Sequence, residues 1–253
     1  MEYLIVILVA FGASMLTFFS GFGLGTMLTP AFILFLPPEL AVAATAIVHF
    51  LNNLFKLSLI GKHIDWKVVA KFGLPAIGGA YVGARLLALM ADADQVVHIA
   101  SMETTVLNIV IGLMIFVFAL FELMPRLKEI QLPPKWLIPG GVLSGFFGGL
   151  SGHQGALRSA FLIKAGLSKE AFIASGVMIA CLIDSIRITT YFSSFDPQLI
   201  TSSWKLILLA TLSAFIGAFI GKRLLKKVTI DALQTMVGVL MMIVAILLFG
   251  GLI

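Results

Sequence analysis

Three polar residues, His153, Gln154 and Arg158, stand among glycines in the stretch GGLSGHQGALRSAFL, residues 148–162. Histidine and glutamine side chains donate hydrogen bonds, and a guanidinium grips anionic oxygens through parallel N–H groups. The flanking chain is almost purely apolar, and a charged side chain at the centre of a bilayer costs about 2.5–3.5 kcal/mol on insertion scales. The pattern therefore indicates a substrate site for an anion. The alternative is that Arg158 extends to the cytoplasmic surface, where two lysines follow.

Two readings of His153 and Gln154 stay open. Both donate hydrogen bonds to a substrate, with His153 also taking a proton during transport, or both satisfy the loose backbone carbonyls of a broken helix. A metal site is disfavoured because no carboxylate or second histidine lies at ligand spacing. With a single cysteine, Cys181, the chain has neither an internal disulfide nor a cysteine-based metal site. We expect no cofactor and no catalytic residue.

A second polar group lies on two long apolar segments. Asp184 and Arg187 are three residues apart and share a helix face, as do His49, Asn53 and Lys56. In one interpretation these residues act in gating or proton coupling, with the cations lining two exits and the carboxylate carrying a proton. In the other, Asp184 and Arg187 form a structural ion pair near the outer membrane edge, and Lys56 snorkels inward.

Composition places all of these residues in a membrane protein. The 253-residue chain is 60% hydrophobic and 11% charged, with a mean hydropathy of +1.11. Soluble domains carry roughly 25% charged residues. The net charge of +5 does not indicate nucleic-acid binding, because the basic excess of membrane proteins usually lies in cytoplasmic loops. No basic residue precedes the first apolar segment, which argues against a cleaved signal peptide. We expect one multi-pass transport domain, 1–253, in the plasma (inner) membrane.

The chain divides into ten apolar segments. Two of them, 26–36 and 155–166, would rise only about 16–18 Å as helices, roughly half a bilayer. Each follows a glycine-rich break, SGFGLG or GGLSGHQG. The ten segments are 3–19, 26–36, 40–60, 67–90, 104–123, 136–150, 155–166, 171–192, 204–225 and 232–252.

The two halves of the chain repeat, at about 3–125 and 136–253. A shift of 131 residues superposes 20–57 on 151–188 without a gap. Leucines and alanines of two apolar halves match easily by chance, but polar and glycine positions do not. The matched polar and glycine pairs are Ser20 with Ser151, Gly21 with Gly152, Glu39 with Glu170, Asn53 with Asp184, and Lys56 with Arg187.

Basic residues predict the orientation of the repeats. Four clusters hold twelve lysines and arginines, whereas the opposite side holds two, Arg85 and Arg187. The positive-inside rule places the clusters in the cytoplasm and both termini outside. Corresponding loops near 61–67 and 193–203 then lie on opposite sides, so the repeats are inverted. Inversion requires an odd number of crossings per repeat. We predict a broken-helix hairpin plus three spanning helices in each; five full crossings are the alternative, which the short segments disfavour.

Inverted repeats with interrupted helices are typical of secondary transporters. Non-helical backbone at membrane depth must line a cavity or be buried in protein. The first N–H groups of a helix carry partial positive charge, so helices beginning at Thr26 and Gly155 are predicted to point at one anion. Glycine lets the backbone approach that ligand, which adds four positions to the predicted site: Gly21, Gly23, Gly25 and Gly152.

The motifs GFGLGTMLTPAFIL (21–34), PPELAVAATAIVHFLNN (37–53), LPAIGGAYVGARL (74–86) and GVLSGFFGGLSG (141–152) carry a family likeness. The chain resembles the sulfite exporter TauE/SafE family of carriers for small sulfur-containing anions and organosulfonates. The resemblance runs nearly end to end and implies export of such an anion. This chain departs from the family where the second loop tends to be glycine after glycine, because His153, Gln154 and Arg158 make that loop more basic.

We therefore predict an all-α polytopic membrane protein that transports sulfite, a sulfonate or a related oxyanion by alternating access. Its partners are the anion, the lipid bilayer and a coupling proton or other ion; its oligomeric state is not predicted. An anion channel of the same architecture is the alternative. A membrane-embedded enzyme is the less favoured one, because the spacing of Ser151, His153 and Asp184 gives no sign that they meet.

Overall fold

The computed structural model describes residues 2–20, 23–93, 96–99, 102–128, 130–224 and 230–252. Each of the ten predicted segments corresponds to a helix over most of its described length, so the all-α polytopic fold is confirmed. In chain order the helices are α1 (Glu2–Ser20), α2 (Leu24–Ile33), α3 (Pro38–Ile60), α4 (Trp66–Val68), α5 (Leu74–Ala93), α6 (Val106–Leu123), α7 (Pro125–Lys128), α8 (Leu137–Ser151), α9 (Gly155–Leu162), α10 (Lys169–Ser194), α11 (Pro197–Ser202), α12 (Trp204–Leu224) and α13 (Ile230–Phe249).

Within the described residues, five helical stretches are long and apolar enough to cross a membrane. A π-helical turn, Val69–Gly73, joins α4 to α5 in one of them, and 3₁₀ turns lie at Gly61–His63 and Pro134–Trp136. The helices α2 and α9 are short, as predicted, with 10 and 8 residues. The five stretches are Pro38–His63, Trp66–Ala93, Val106–Leu123, Lys169–Ser194 and Trp204–Arg223.

A small antiparallel β-hairpin was not predicted from the sequence. It pairs β1 (Val96–Ile99) with β2 (Met102–Thr105), so the first two residues of the predicted 104–123 segment are strand. The helix α6 begins only at Val106, because the Thr105 hydroxyl accepts a hydrogen bond from the Asn108 backbone N–H at 3.1 Å and caps it.

Glycines bring α5 and α8 into backbone contact. A Cβ atom added to Gly141, Gly145 or Gly149 of α8 would lie 2.1–2.2 Å from a carbonyl oxygen of the facing helix. The facing residues rise in step, from Phe72 to Ala76 to Ala80, so the two helices are parallel. Gly79 and Gly83 of α5 meet Val142 and Phe146 across the same contact, as expected of small residues four apart on a packed helix.

The helices α1 and α12 make the equivalent parallel contact. Gly217 and Gly221 face the carbonyl oxygens of Phe11 and Met15, and an added Cβ would lie 2.3 Å from either oxygen. We call these two contacts, α5 with α8 and α1 with α12, the glycine seams. Each glycine seam joins the first helix of one repeat to the third long helix of the other.

Two further helix pairs, α3 with α10 and α6 with α13, are antiparallel. Along α3 and into the following turn, His49 contacts Asp184 whereas Asp65 contacts Ser175, so numbers fall on α10 as they rise on α3. Along α6, Gly112 packs on Leu248, and Leu123 packs on Gly238 of α13. Equivalent helices of the two repeats thus run in opposite directions, as an inverted repeat requires. The inverted two-fold relation remains a prediction, which these directions support.

Candidate functional site

Two broken-helix hairpins, α1–α2 and α8–α9, touch at their tips. A Cβ atom on Gly25 would lie 3.0 Å from the carbonyl oxygen of Gly152. Gly152 has φ +82° and Gly23 has φ +120°, conformations that favour glycine at both tips. The structure therefore brings the two glycine-rich stretches together, as the sequence predicted. Gly21 lies outside the described residues.

The two short helices begin at these tips. The helix α9 begins at Gly155, as predicted, but α2 begins at Leu24 and not at Thr26. The residue just before the helix is Gly23, whose carbonyl accepts the first helical bond from Met27 N at 3.0 Å. The buried Thr26 therefore lies inside the first turn, where its N–H still has no partner along the helix.

The carboxylate of Asp184 is the hub of a buried polar network. Its Oδ1 accepts hydrogen bonds from Arg187 Nε at 2.9 Å and from Gln154 Nε2 at 3.1 Å. Its Oδ2 lies 2.6 Å from His49 Nδ1, and Asn53 Nδ2 lies 3.4 Å from His49 Nε2. Asp184 and Arg187 are fully buried, so the ion pair lies inside the protein.

The side chain of Arg158 joins this network from α9. Its Nη1 donates to Gln154 Oε1 at 3.1 Å, and the residue is 2% exposed. The guanidinium lies over Gly176, where an added Cβ would be 3.5 Å from Arg158 Nε. Arg158 therefore does not extend to the surface. Lys56 does not snorkel either, because it is 3% exposed and its Nζ donates to Thr17 Oγ1 at 3.0 Å.

The imidazole of His153 is held in the second tip with one nitrogen unpartnered. The ring stacks on Phe118, with centroids 5.2 Å apart, and Nδ1 lies 3.2 Å from Ser151 Oγ. The Ser151 hydroxyl donates to the Phe147 carbonyl, so it accepts from His153 Nδ1–H. In that tautomer, assigned from the hydrogen bonds, Nε2 is a buried acceptor without a partner among the described residues, and a proton or a protonated substrate would satisfy it.

Further buried polar atoms without partners surround the point where the tips meet. A Cβ on Gly152 would lie 3.1 Å from Arg187 Nη1 and 3.3 Å from Thr29 Oγ1, and the Thr45 side chain faces Gly25. Among the described residues, the Arg187 Nη2, Thr29 Oγ1 and Thr45 Oγ1 atoms have no hydrogen-bond partner. Leaving a buried donor unpaired costs about 1–3 kcal/mol, so such a group in a native structure indicates a bound water, ion or ligand.

The charges of the network do not balance. Among the described residues, Arg158 and Arg187 share this network with one carboxylate, that of Asp184, and a third buried cation, Lys56, lies outside the network against Thr17. Another buried carboxylate, Glu122, packs against α13 at Gly238 instead. An uncompensated buried cation is strongly unfavourable. The arrangement therefore favours an exchangeable anion.

The sequence model of one protein family, Sulfite exporter TauE/SafE, matches residues 6–248. The chain belongs to this family. No curated protein and no solved structure matches it. TauE/SafE membership makes the protein a multi-pass membrane transporter of sulfur-containing anions.

The TauE/SafE family is one of transporters, which is consistent with the expectation of no enzyme activity. The triad considered from the sequence does not form in the structure. His153 approaches Ser151, but Asp184 bonds His49, and the Ser151 hydroxyl donates to a backbone carbonyl.

Sequence reasoning missed several residues of the TauE/SafE site. Thr29 follows the predicted Thr26 by three residues, and Thr45 precedes His49 by four, so helical spacing carried a usable signal for both. The contact of Ser144 was not visible in the sequence, because its hydroxyl donates to the Gln154 backbone carbonyl at 3.0 Å across the hairpin. The Tyr191 hydroxyl likewise donates to a backbone carbonyl of α8.

Proposed function

We propose that the protein is a secondary transporter that carries sulfite, a sulfonate or a related oxyanion across the plasma membrane by alternating access. One observation carries the proposal: buried arginines, unpartnered donors and two glycine-rich tips meet at one enclosed place. Arg187 Nη2, Thr29, Thr45 and the backbone N–H groups at the tips would replace the water around the anion. Arg158 and Gln154 would hold the second tip in place.

The glycine seams support a specific form of movement. Because α5 is locked on α8 and α12 on α1, each hairpin would move together with the long helix of the other repeat. The hairpins would separate at the contact between Gly25 and Gly152 to open the site to one side. The driving force would be an ion gradient, with His153 and Asp184 as candidate sites for a coupled proton.

Binding of an anion panel to the purified protein tests the proposed site. We expect one or more of sulfite, thiosulfate and a short sulfonate to bind more tightly than acetate. Replacing Arg158 with alanine should weaken binding about tenfold or more, because the second tip would lose the charge-assisted hydrogen bond from Arg158 to Gln154 Oε1 that holds it in place, and such bonds contribute about 1.5–3 kcal/mol. The exposed Arg85 supplies the control, since Arg85→Ala should bind normally.

Equal binding by wild type and Arg158→Ala would remove this arginine from the site. Failure of every sulfur anion to bind would contradict the proposal as a whole. In proteoliposomes, a carrier should take up labelled anion faster when unlabelled anion is preloaded inside. Uptake that is indifferent to preloading would favour the channel.

Both termini are proposed to lie outside the cytoplasm. Arg85 and Arg187 are the two basic residues predicted outside. Arg187 is buried and no longer counts, but Lys205 is exposed at the start of α12 on the same predicted side. The excess of basic residues on the cytoplasmic side is therefore unchanged. Exposed positions 62 and 196 provide the test. Cysteines placed there by Lys62→Cys and Asp196→Cys, in a Cys181→Ala background, should be labelled from opposite sides. Labelling from the same side would contradict the inverted topology.

A further inference from the structure

The ammonium group of Lys56 is a buried cation that has no carboxylate partner in the described part of the chain. It is 3% exposed, and its only hydrogen bond there runs from Nζ to Thr17 Oγ1 at 3.0 Å. Arg158 also repels it electrostatically. Because a lysine ammonium carries three N–H groups, two of them have no acceptor among these residues. Burying such a charge is costly unless something pairs with it.

The internal repeat allows the surroundings of Lys56 to be compared with those of its matched residue, Arg187. The 131-residue shift places Lys56 on Arg187 and Thr17 on Gly148. Each cation contacts the matched position of its own hairpin, since Arg187 Nη1 reaches the Gly148 carbonyl oxygen at 3.4 Å. The two environments are thus built alike.

The counter-ion differs between the two environments. Arg187 pairs with Asp184, three residues earlier, at 2.9 Å. In repeat one the matched residue is Asn53, a neutral amide that contacts His49. Lys56 therefore occupies the position that matches the cation Arg187, but repeat one has no carboxylate at the position that matches Asp184.

An unpartnered amide lies beside Lys56. Asn52 is fully buried, and its Oδ1 accepts a hydrogen bond from Ser14 Oγ at 3.0 Å, but its Nδ2 has no partner within the part of the chain that the structure describes. Asn52 precedes Lys56 by four residues, so both side chains lie on one face of α3. The first hairpin tip adjoins them, because a Cβ on Gly23 would lie 2.9 Å from the Thr17 methyl carbon.

We propose that Lys56 Nζ and Asn52 Nδ2 form a second oxyanion site, here called the Lys56 site. The anion supplies the negative charge that Asn53 lacks, and it accepts hydrogen bonds from both nitrogens. This inference rests on the proposed function and extends it from one anion site to two. As part of the same proposal, the Lys56 site lies on the Gly23 side of the first tip and is separate from the contact between Gly25 and Gly152. Along the helix, Lys56 lies seven residues beyond His49, a rise of about 10 Å.

Counting bound anions tests the Lys56 site. Equilibrium binding of radiolabelled sulfite to the purified full-length protein should give two anions per wild-type chain and one per Lys56→Met chain. Lys56→Arg keeps the charge and should retain two. Sulfite transport by Lys56→Met in proteoliposomes should fall about tenfold or more, as expected for loss of a charge-assisted hydrogen bond.

A second variant guards against misfolding of Lys56→Met. Asn53→Asp places a carboxylate three residues before the lysine, as Asp184 stands before Arg187. It should fold, pair with Lys56 internally and bind only one sulfite. Two bound sulfites in both variants would overturn the Lys56 site. One bound sulfite in wild type, unchanged in both variants, would also overturn it and leave the proposed transporter intact. No sulfite bound to wild type would overturn both.

Discussion

Replacing Asp184 with asparagine is expected to lower the free energy of unfolding by about 3 kcal/mol, because breaking a buried ion pair leaves an uncompensated charge. Arg187 would lose its only carboxylate within the described residues, and His49 would lose its 2.6 Å partner. Transport should be abolished, since the carboxylate orients Gln154 and through it Arg158. Thermal unfolding in detergent and anion uptake by proteoliposomes measure the two effects.

A double variant separates charge imbalance from loss of shape. Asp184→Asn combined with Arg187→Gln removes both charges and should regain most of the lost stability while remaining inactive. Sulfite should raise the unfolding temperature of Asp184→Asn more than that of wild type, because the anion can then pair with Arg187. An Asp184→Asn protein that unfolds and transports like wild type would show that the pair is dispensable.

The helices were predictable because each apolar segment is bounded by charges or by glycine and proline. The repeat added the pairing of segments. The sequence did not give the partner across each seam. Gly79 meets Val142, and Gly217 meets Phe11, 206 residues away in the chain, so each contact depends on how the whole fold closes. The β-hairpin was missed because its two strands are only four residues each.

The residue types of the site were readable, but the directions of the side chains were not. Spacing alone allowed Arg158 to face the surface or the pocket. The decision comes from Gly176 on a different helix, which lacks a side chain and leaves room for the guanidinium. In the repeat, the residue matched to Gly176 is Thr45, which faces the other tip. The local pattern around Arg158 contains no information about the space that a glycine leaves on a different helix.

The two repeats share a backbone plan but differ in chemistry. Repeat two carries Arg158 and Asp184 where repeat one has Met27 and Asn53. A symmetric pair of hairpins would give two identical anion sites. The differences between the repeats would instead give the two proposed sites unlike chemistry, one with an internal carboxylate and another, at Lys56, without one. An anion would bind differently at the two sites, which suits movement from one to the other.

Substituting Gly152 with alanine is the second change for which we expect a large effect. Gly152 has φ +82°, a conformation that costs roughly 1–2 kcal/mol for a residue with a side chain. Its Cβ would also lie 3.1 Å from Arg187 Nη1 and 3.3 Å from Thr29 Oγ1, inside the proposed anion site. We expect anion uptake to fall more than about tenfold, because a misplacement of about 1 Å can cost about a hundredfold in rate.

Gly166 provides a matched control for that substitution. Its φ of +75° is similar, but a Cβ there would meet nothing within 4 Å. Gly166→Ala should therefore share the backbone strain and a comparable loss of unfolding temperature, yet retain anion affinity and uptake. Equal loss of uptake in both variants would trace the effect to backbone strain alone. Loss confined to Gly152→Ala would instead support a functional site at the meeting point of the two tips, because only there does the added methyl group displace anion-binding side chains.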